Sequence, residues 1–287
     1  MTQDMQGLNG LARAPMARRG MVMTTLISGF TLATTRVDAQ AITTSMDGIE
    51  GGETMVPTAG GMMPTYWARP KGAGPFPVVI VAEEIFGVHE YIRDTVRRLA
   101  KAGYMAVAPE IYFRAGDLAK MTDVQQIIRD VISKAPDAQV MADMDAAVAW
   151  AGQNGGDTAR LAVTGFCRGG RNTWLFAAHN PKVRAAVAWY GPIGGTPSDI
   201  QPKTAADVAG DLKSPLLGLY GGKDTGIPVE QVMAARDKAN AAGRKVEIVV
   251  YPEAPHGFHA DYRPSYRAEA AQDGWARMLA FFKQNGV

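Results

Sequence analysis

The sequence has few of the residues that build disulfide frameworks or metal clusters. Among its 287 residues there are one cysteine and four histidines, so neither a disulfide framework nor a cysteine-based metal cluster can form. A formal net charge of +2 gives no basic surface of the kind that binds nucleic acid. The composition, 47% hydrophobic and 20% charged, suits one large globular α/β domain. Any chemistry must therefore use the single thiol or side chains other than cysteine.

The first 41 residues have the pattern of an export signal rather than of folded structure. Arg18 and Arg19 precede a short apolar segment, residues 20–35, and Ala39-Gln40-Ala41 follows as a small-residue cleavage site. Paired arginines are typical of the twin-arginine signals that export folded proteins. The apolar segment is too short and too rich in Thr, Ser and Gly for a stable membrane anchor. We expect a periplasmic protein, or a cytoplasmic one if this leader is not a signal.

After the leader, residues 42–63 are expected to form an N-terminal extension with an edge hairpin, and residues 64–287 a single domain. The apolar, β-branched run 78–82 is typical of a central strand covered on both faces. Strands and helices then alternate, which predicts the α/β class with a mostly parallel central sheet flanked by helices on both faces. The predicted strands are 78–82, 104–108, 161–163, 185–189, 215–220 and 246–251. The predicted helices are 91–102, 124–133, 143–153, 172–179, 230–242 and 266–284.

The single cysteine lies in a motif that joins a predicted strand to a predicted helix. The motif, Gly165-Phe166-Cys167-Arg168-Gly169-Gly170, has the form of a nucleophile elbow in which Cys replaces the more usual Ser. Gly165 and Gly169 leave space where a Cβ would clash in so tight a turn. The turn would place Cys167 at a helix N-terminus, where the macrodipole favours a thiolate. An inert buried cysteine is the alternative interpretation of any lone Cys.

An acid and a base follow Cys167 in the chain order of the α/β-hydrolase fold. Asp224 and His256 each come just after a predicted strand. Open α/β sheets place their sites at the carboxyl ends of the strands, so all three side chains should meet there. His256 would take the thiol proton, and Asp224 would hold the imidazole in one tautomer. Individually, Asp224 could be a turn residue and His256 a loop cap, but three such residues in this order favour a triad.

Together with 84–87 (Glu-Ile-Phe-Gly), 222–224 and 254–258, the elbow motif resembles the dienelactone hydrolase (carboxymethylenebutenolidase) family over roughly residues 64–282. The resemblance implies a single-domain α/β-hydrolase that cleaves the ester of an unsaturated lactone. It implies a Cys167, Asp224 and His256 triad. It also implies that Glu84 pairs with the resting thiol, and that the backbone N–H groups of Ile85 and Arg168 form the oxyanion hole.

The substrate contacts are less well matched than the triad. The family archetype grips a substrate carboxylate with two arginines, one of them four residues after the triad histidine, where this chain has Ala260. Arg263 is the nearest candidate, Arg129 lies in roughly the region of the other, and Tyr112 could line the pocket. Arg168 and its neighbour Arg171 are expected to make salt bridges on the helix surface.

Two acidic residues, Glu83 and Glu84, end the first central strand. Burial there is expected to raise the pKa of Glu84, so that this side chain could hold the thiol proton. One of the two carboxylates is expected to face solvent. No cofactor and no metal ion are expected, because the His256-x-x-His259 spacing has no acidic or histidine cluster beside it.

We therefore predict a monomeric cysteine hydrolase of small-molecule carboxylic esters, most simply of a dienelactone or other enol lactone. The reaction would proceed through an acyl-thioester intermediate. The alternatives are a thioesterase or general carboxylesterase on the same fold, and a binding or stress protein that has lost turnover.

Overall fold

The computed structural model describes residues 42–287. The expected export signal, residues 1–41, lies outside the described residues, so this signal and the localisation that follows from it stay predictions. No helix in the described part of the chain is both long enough and apolar enough to cross a membrane.

The described chain forms one eight-stranded sheet in the order β1-β2-β4-β3-β5-β6-β7-β8. The six strands from β4 to β8 run parallel, and β1 and β2 pair antiparallel at one edge. Most of these strands are nearly continuous apolar runs, as expected where a parallel sheet is covered on both faces. The strands are β1 (Ile49–Thr58), β2 (Gly61–Pro70), β3 (Phe76–Ala82), β4 (Met105–Pro109), β5 (Gly156–Phe166), β6 (Val183–Trp189), β7 (Leu216–Gly221) and β8 (Val246–Tyr251).

Helices connect the parallel strands and cover the sheet. Their boundaries agree with the predicted ones to within a few residues, with two exceptions. The helix before β5 begins earlier than predicted, and the α-helix predicted at 124–133 already ends at Asp130. A short helix at 205–208 has no counterpart among the predicted elements. The α-helices are α1 (Glu90–Lys101), α2 (Val124–Asp130), α3 (Asp137–Gln153), α4 (Arg168–His179), α5 (Ala205–Val208), α6 (Val229–Ala241) and α7 (Ala268–Gln284).

The N-terminal hairpin is a full part of the sheet. β1 and β2 are each ten residues long, and β2 pairs through Thr65–Ala68 with β4. The hairpin thus extends the sheet beyond β4 and continues the hydrophobic core, to which it contributes the fully buried Met63 and Ala68.

The parallel arrangement determines where functional side chains can meet. β3, β5, β7 and β8 all end at the same edge of the sheet, and the residues that follow them include Glu84, Cys167, Asp224 and His256. Residues far apart along the chain therefore lie around one crevice at this edge.

Candidate active site

The elbow forces an unusual backbone conformation on Cys167. Its φ and ψ angles are 55° and −119°, outside the regions that L-residues ordinarily adopt. The Cys167 N–H donates to the Trp189 carbonyl at 3.0 Å, which ties the turn to β6. A Cβ on Gly169 would lie 2.1 Å from the Ala82 carbonyl oxygen, and one on Gly165 would lie 2.3 Å from the Gly169 carbonyl oxygen. The glycines therefore permit the close contact between strand and helix that projects Cys167 from the turn.

His256 lies between the acid and the thiol. Its Nδ1 is 2.7 Å from Oδ2 of Asp224, and all three triad side chains are buried. Burial alone would lower the pKa of His256, but the negative charges of Asp224 and Cys167, with hydrogen bonds to both, raise it to about 10. The structure thus brings together the three residues that the sequence predicted, in an arrangement that stabilises the protonated form of His256.

The surroundings of Glu84 do not suit this side chain to hold the thiol proton. Its Oε2 accepts hydrogen bonds from Arg263 Nη2 at 3.1 Å and Tyr262 OH at 3.0 Å, and it lies 3.1 Å from His89 Nε2. Burial raises the pKa of Glu84, but Arg263, His89 and Tyr262 outweigh it and lower the pKa to about 2. The expectation of a raised pKa was wrong, because the arginine that neutralises Glu84 is 179 residues away along the chain and its proximity could not be read from the sequence.

The neighbouring Glu83 is the carboxyl whose pKa rises. Both Glu83 and Glu84 are fully buried, so the expectation that one of them faces solvent was also wrong. Burial, reinforced by the nearby charge of Glu110, raises the pKa of Glu83 well above its usual range, while the backbone N–H groups of Tyr112 and Ile111 act in the opposite direction. The pKa values of the two adjacent acids therefore shift in opposite directions because the side chains face different neighbours.

The expected oxyanion-hole donors lie on two loops at the same edge of the sheet. Ile85 is next to Glu84, just beyond β3, and Arg168 is the first residue of α4. Within residues 42–287, neither backbone N–H is found in a hydrogen bond. A free N–H is expected at the first position of a helix, and such a donor is available to a developing oxyanion.

The three predicted substrate-binding residues, Arg263, Tyr112 and Arg129, differ in burial and in their hydrogen-bond partners. Arg263 is buried against Glu84, and within the described chain its Nε and Nη1 atoms have no hydrogen-bond partner. The Tyr112 hydroxyl is buried and accepts a hydrogen bond from Asn172, while the Tyr112 ring lines a cavity of about 210 Å³. Arg129 lies on the surface of α2, where its exposed guanidinium pairs with the adjacent Asp130.

The two arginines of the elbow helix differ from each other. Arg171 makes a bidentate ion pair with Asp137, at 2.7 and 2.8 Å. A salt bridge was expected, but both residues are buried rather than on the helix surface. Among the described residues, Arg168 has no carboxylate partner for the expected salt bridge. Its Nη2 instead donates to the neutral amide oxygen of Gln201 at 2.9 Å.

Two further residues, Tyr190 and His259, lie beside the triad with contacts that the sequence did not predict. Tyr190 follows β6 with a φ of 37°, and its ring centroid is 5.1 Å from that of His256. His259 is buried, and its Nδ1 is 2.6 Å from the Tyr91 hydroxyl. Burial and the nearby charge of Arg98 lower the pKa of His259 to about 3. In the sequence, only their positions pointed to the site. His259 is three residues after His256, and Tyr190 follows Trp189, whose carbonyl oxygen accepts the hydrogen bond of the Cys167 N–H.

The sheet order and the elbow define an α/β-hydrolase fold. The model of the dienelactone hydrolase family matches residues 63–286, and the chain belongs to that family. It is a carboxylic ester hydrolase by class. In the described part of the chain, no group of three or more His, Cys, Asp or Glu side chains could hold a metal ion.

Similar proteins agree with this assignment. A Methylorubrum extorquens protein, provisionally named a carboxymethylenebutenolidase, is 55% identical over 278 residues, 96% of each chain. A Bradyrhizobium protein, provisionally named a 2-oxo-3-(5-oxofuran-2-ylidene)propanoate lactonase, is 32% identical and covers 76% of this chain and 88% of its own length. A Klebsiella pneumoniae crystal structure, provisionally named a dienelactone hydrolase, is 56% identical, covers 82% of this chain and 99% of its own, and has a TM-score of 0.81.

Proposed function

We propose that the protein hydrolyses an enol lactone or a related small ester by nucleophilic attack of Cys167. The observation that carries this proposal is the position of His256 between Asp224 and Cys167, with a pKa raised to about 10. In this arrangement His256 carries the thiol proton and Cys167 is the nucleophile.

The acyl-transfer step follows from these positions. The Cys167 thiolate attacks the ester carbonyl, and the negative charge on its oxygen is stabilised by the backbone N–H groups of Ile85 and Arg168. Collapse of the tetrahedral intermediate breaks the ester C–O bond and leaves an acyl thioester on Cys167. The leaving oxygen departs as an enolate and then takes the proton from His256. An enolate leaving group suits the site, because it needs little assistance from an acid.

The second half of the reaction releases the acid product. His256, now neutral, takes a proton from a water molecule as that water attacks the thioester carbonyl, and the thiolate then leaves with His256 again protonated. Asp224 stabilises the imidazolium in both halves of the cycle. Arg263 and Tyr112 are proposed to contact the substrate, Arg263 through the nitrogens that Glu84 does not occupy.

The lactone preference is supported by the names of the similar proteins described above. The cis and trans isomers of dienelactone, assayed beside neutral aryl esters and acyl thioesters, would test it. We expect the lactones to have the highest kcat/KM and the Cys167→Ala variant to lose their hydrolysis. A higher kcat/KM for acyl thioesters would instead assign a thioesterase, and full activity of Cys167→Ala would falsify the mechanism.

A further inference from the structure

The arginine side chains around the elbow differ in whether they form an ion pair with a carboxylate. Arg171 is paired with Asp137, and Arg263 is paired with Glu84 at 3.1 Å. No ion pair of Arg168 is found among residues 42–287, although the guanidinium is partly buried. Removing a guanidinium from water without a counter-ion is costly, so an arrangement of this kind suggests that an anion completes the site.

Two neighbours, Gln201 and Tyr112, fix the position of the Arg168 guanidinium. Gln201 accepts the hydrogen bond from Nη2, and the Gln201 amide nitrogen is itself fixed by the carbonyl oxygens of Ile132 and Ala135, at 2.6 and 2.9 Å. On the other side the Tyr112 hydroxyl interacts with Arg168, and that hydroxyl is fixed by Asn172. The side chain therefore spans the loops that follow β4 and β6, on both sides of Cys167.

The hydrogen bonds of Arg168 leave part of its donor capacity unused. Its contacts are an amide oxygen and a hydroxyl, both neutral, and within the described chain its buried Nε has no partner. Burial, which is the largest influence, and the charge of Arg171 lower the pKa of Arg168, whereas Tyr112 and the more distant charge of Asp137 act in the opposite direction. A planar guanidinium with free donors suits a carboxylate, which it can bind through two hydrogen bonds.

We propose that the Arg168 side chain binds a carboxylate on the acyl half of the substrate. This inference rests on the proposed function, because the backbone N–H of the same residue is assigned to the ester carbonyl. The carboxylate must therefore lie within the length of one arginine side chain of that carbonyl. Arg168 would act as a specificity-determining residue that favours half-esters of dicarboxylic acids over neutral esters.

A pair of esters that differ in charge and not in shape tests the proposal by turnover. The 4-nitrophenyl monoester of adipic acid carries a carboxylate where 4-nitrophenyl 6-methylheptanoate carries an isopropyl group. We expect the ratio of kcat/KM for the anionic ester to that for the neutral ester to fall about 10- to 100-fold in Arg168→Gln. Arg168→Lys should recover part of the ratio. Arg277→Gln, which removes an exposed helix-surface arginine paired with Asp273, should leave it unchanged.

Alkylation of Cys167 tests the proposal without turnover. Iodoacetate and iodoacetamide both transfer a two-carbon group to the sulfur with loss of iodide, but only iodoacetate is anionic. Because the chain has one cysteine, loss of free thiol reports on Cys167 alone. Any opening of the buried site is common to both reagents, so it cancels in the ratio of their rates. We expect the iodoacetate-to-iodoacetamide ratio to fall in Arg168→Gln.

Unchanged ratios in both experiments, or an equal fall of kcat/KM for the two esters, would overturn the role of Arg168. If the wild-type protein hydrolyses neither ester, the proposed function fails in that assay. The alkylation ratio then still decides whether Arg168 attracts an anion to Cys167.

Discussion

Nδ1 of His256 lies 2.7 Å from Oδ2 of Asp224, and a second histidine–aspartate pair, His179 and Asp145, has the same separation. The two pairs differ in burial. The side chains of His256 and Asp224 are 8% and 2% exposed, whereas those of His179 and Asp145 are 44% and 41% exposed. A charge pair is much stronger when it is shielded from water, so burial rather than distance separates the pair that can tune a base from one on the surface.

The first prediction uses this contrast. Asp224→Asn should lower kcat/KM for the preferred ester by about 10³- to 10⁴-fold. An uncharged amide no longer stabilises the imidazolium and no longer holds the neutral imidazole in one tautomer. Steady-state hydrolysis across a range of pH measures the change. Asp145→Asn removes the corresponding negative charge from the exposed pair, outside the site, and should leave kcat/KM unchanged. Equal losses in the two variants would contradict the assignment of Asp224.

The second prediction concerns the buried pair of Glu84 and Arg263. Glu84→Gln should destabilise the fold at neutral pH by about 3–5 kcal/mol, since it leaves a buried guanidinium without its counter-charge. Arg263→Met should also be destabilising. The double variant should lose less stability than the sum of the two single variants. Urea unfolding of the four proteins measures this coupling, and strictly additive losses would show that the pair is not formed.

The lowered pKa of Glu84 has a defined effect on stability. Its value falls from 4.5 to about 2 on folding, so its contribution is fully present above pH 4.5 and is lost as the pH falls toward 2. A carboxyl that stored the thiol proton would instead titrate near neutral pH. The carboxylate infrared band that is lost in Glu84→Gln should therefore persist in the wild-type protein at pH values well below 4.5.

The third prediction concerns His259, which is buried in its neutral form. Its pKa falls from 6.5 to about 3 on folding, so folding stability should decrease as the pH falls below 6.5. The slope is about 1.4 kcal/mol per pH unit once the unfolded state is protonated. His259→Gln should be less stable at neutral pH, because it loses the contact with Tyr91, but its stability should depend less on pH between about 6.5 and 5. Urea titrations at several pH values measure both slopes, and parallel slopes would rule out this role for His259.

The fourth prediction concerns the packing of the elbow. Gly169→Ala would place a methyl group 2.1 Å from the Ala82 carbonyl oxygen, and backbone must move to accommodate it. We expect a loss of about 3 kcal/mol or more, or failure to fold. Gly210→Ala is the matched control, because its added methyl would meet Ala242 at an ordinary 3.6 Å. If Gly169→Ala were as stable as Gly210→Ala, the close contact would not exist in solution.

The sequence was sufficient for the fold and for the meeting of Cys167, Asp224 and His256. Each of these features depends on local patterns, namely apolar runs, glycine spacing and positions just after strands. Because parallel strands end at the same edge of the sheet, residues that follow them lie close together. β8 was predicted with its observed bounds for the same reason. The sequence-based prediction that these three residues meet therefore needed no knowledge of individual long-range contacts.

The pKa shifts of Glu83 and Glu84 could not be predicted from the sequence. Glu83 and Glu84 are adjacent and similar in type, yet their pKa values shift in opposite directions. Arg263 lies beside one and Glu110 beside the other. The contrast between Arg168 and Arg171 has the same origin, because Asp137 is hydrogen-bonded to Arg171 and acts on Arg168 only through its charge. Such differences depend on side-chain positions across loops, which neither periodicity nor spacing specifies.

The central claim is that Cys167 becomes acylated during turnover. Rapid quenching of the wild-type protein with a slowly hydrolysed aryl ester, followed by intact-mass and peptide mass spectrometry, tests it directly. We expect a mass increase equal to one acyl group on the peptide that contains Cys167. It should decay at the rate of product release and be absent in Cys167→Ala. Hydrolysis that proceeds at an undiminished rate with no acyl group on that peptide would contradict it.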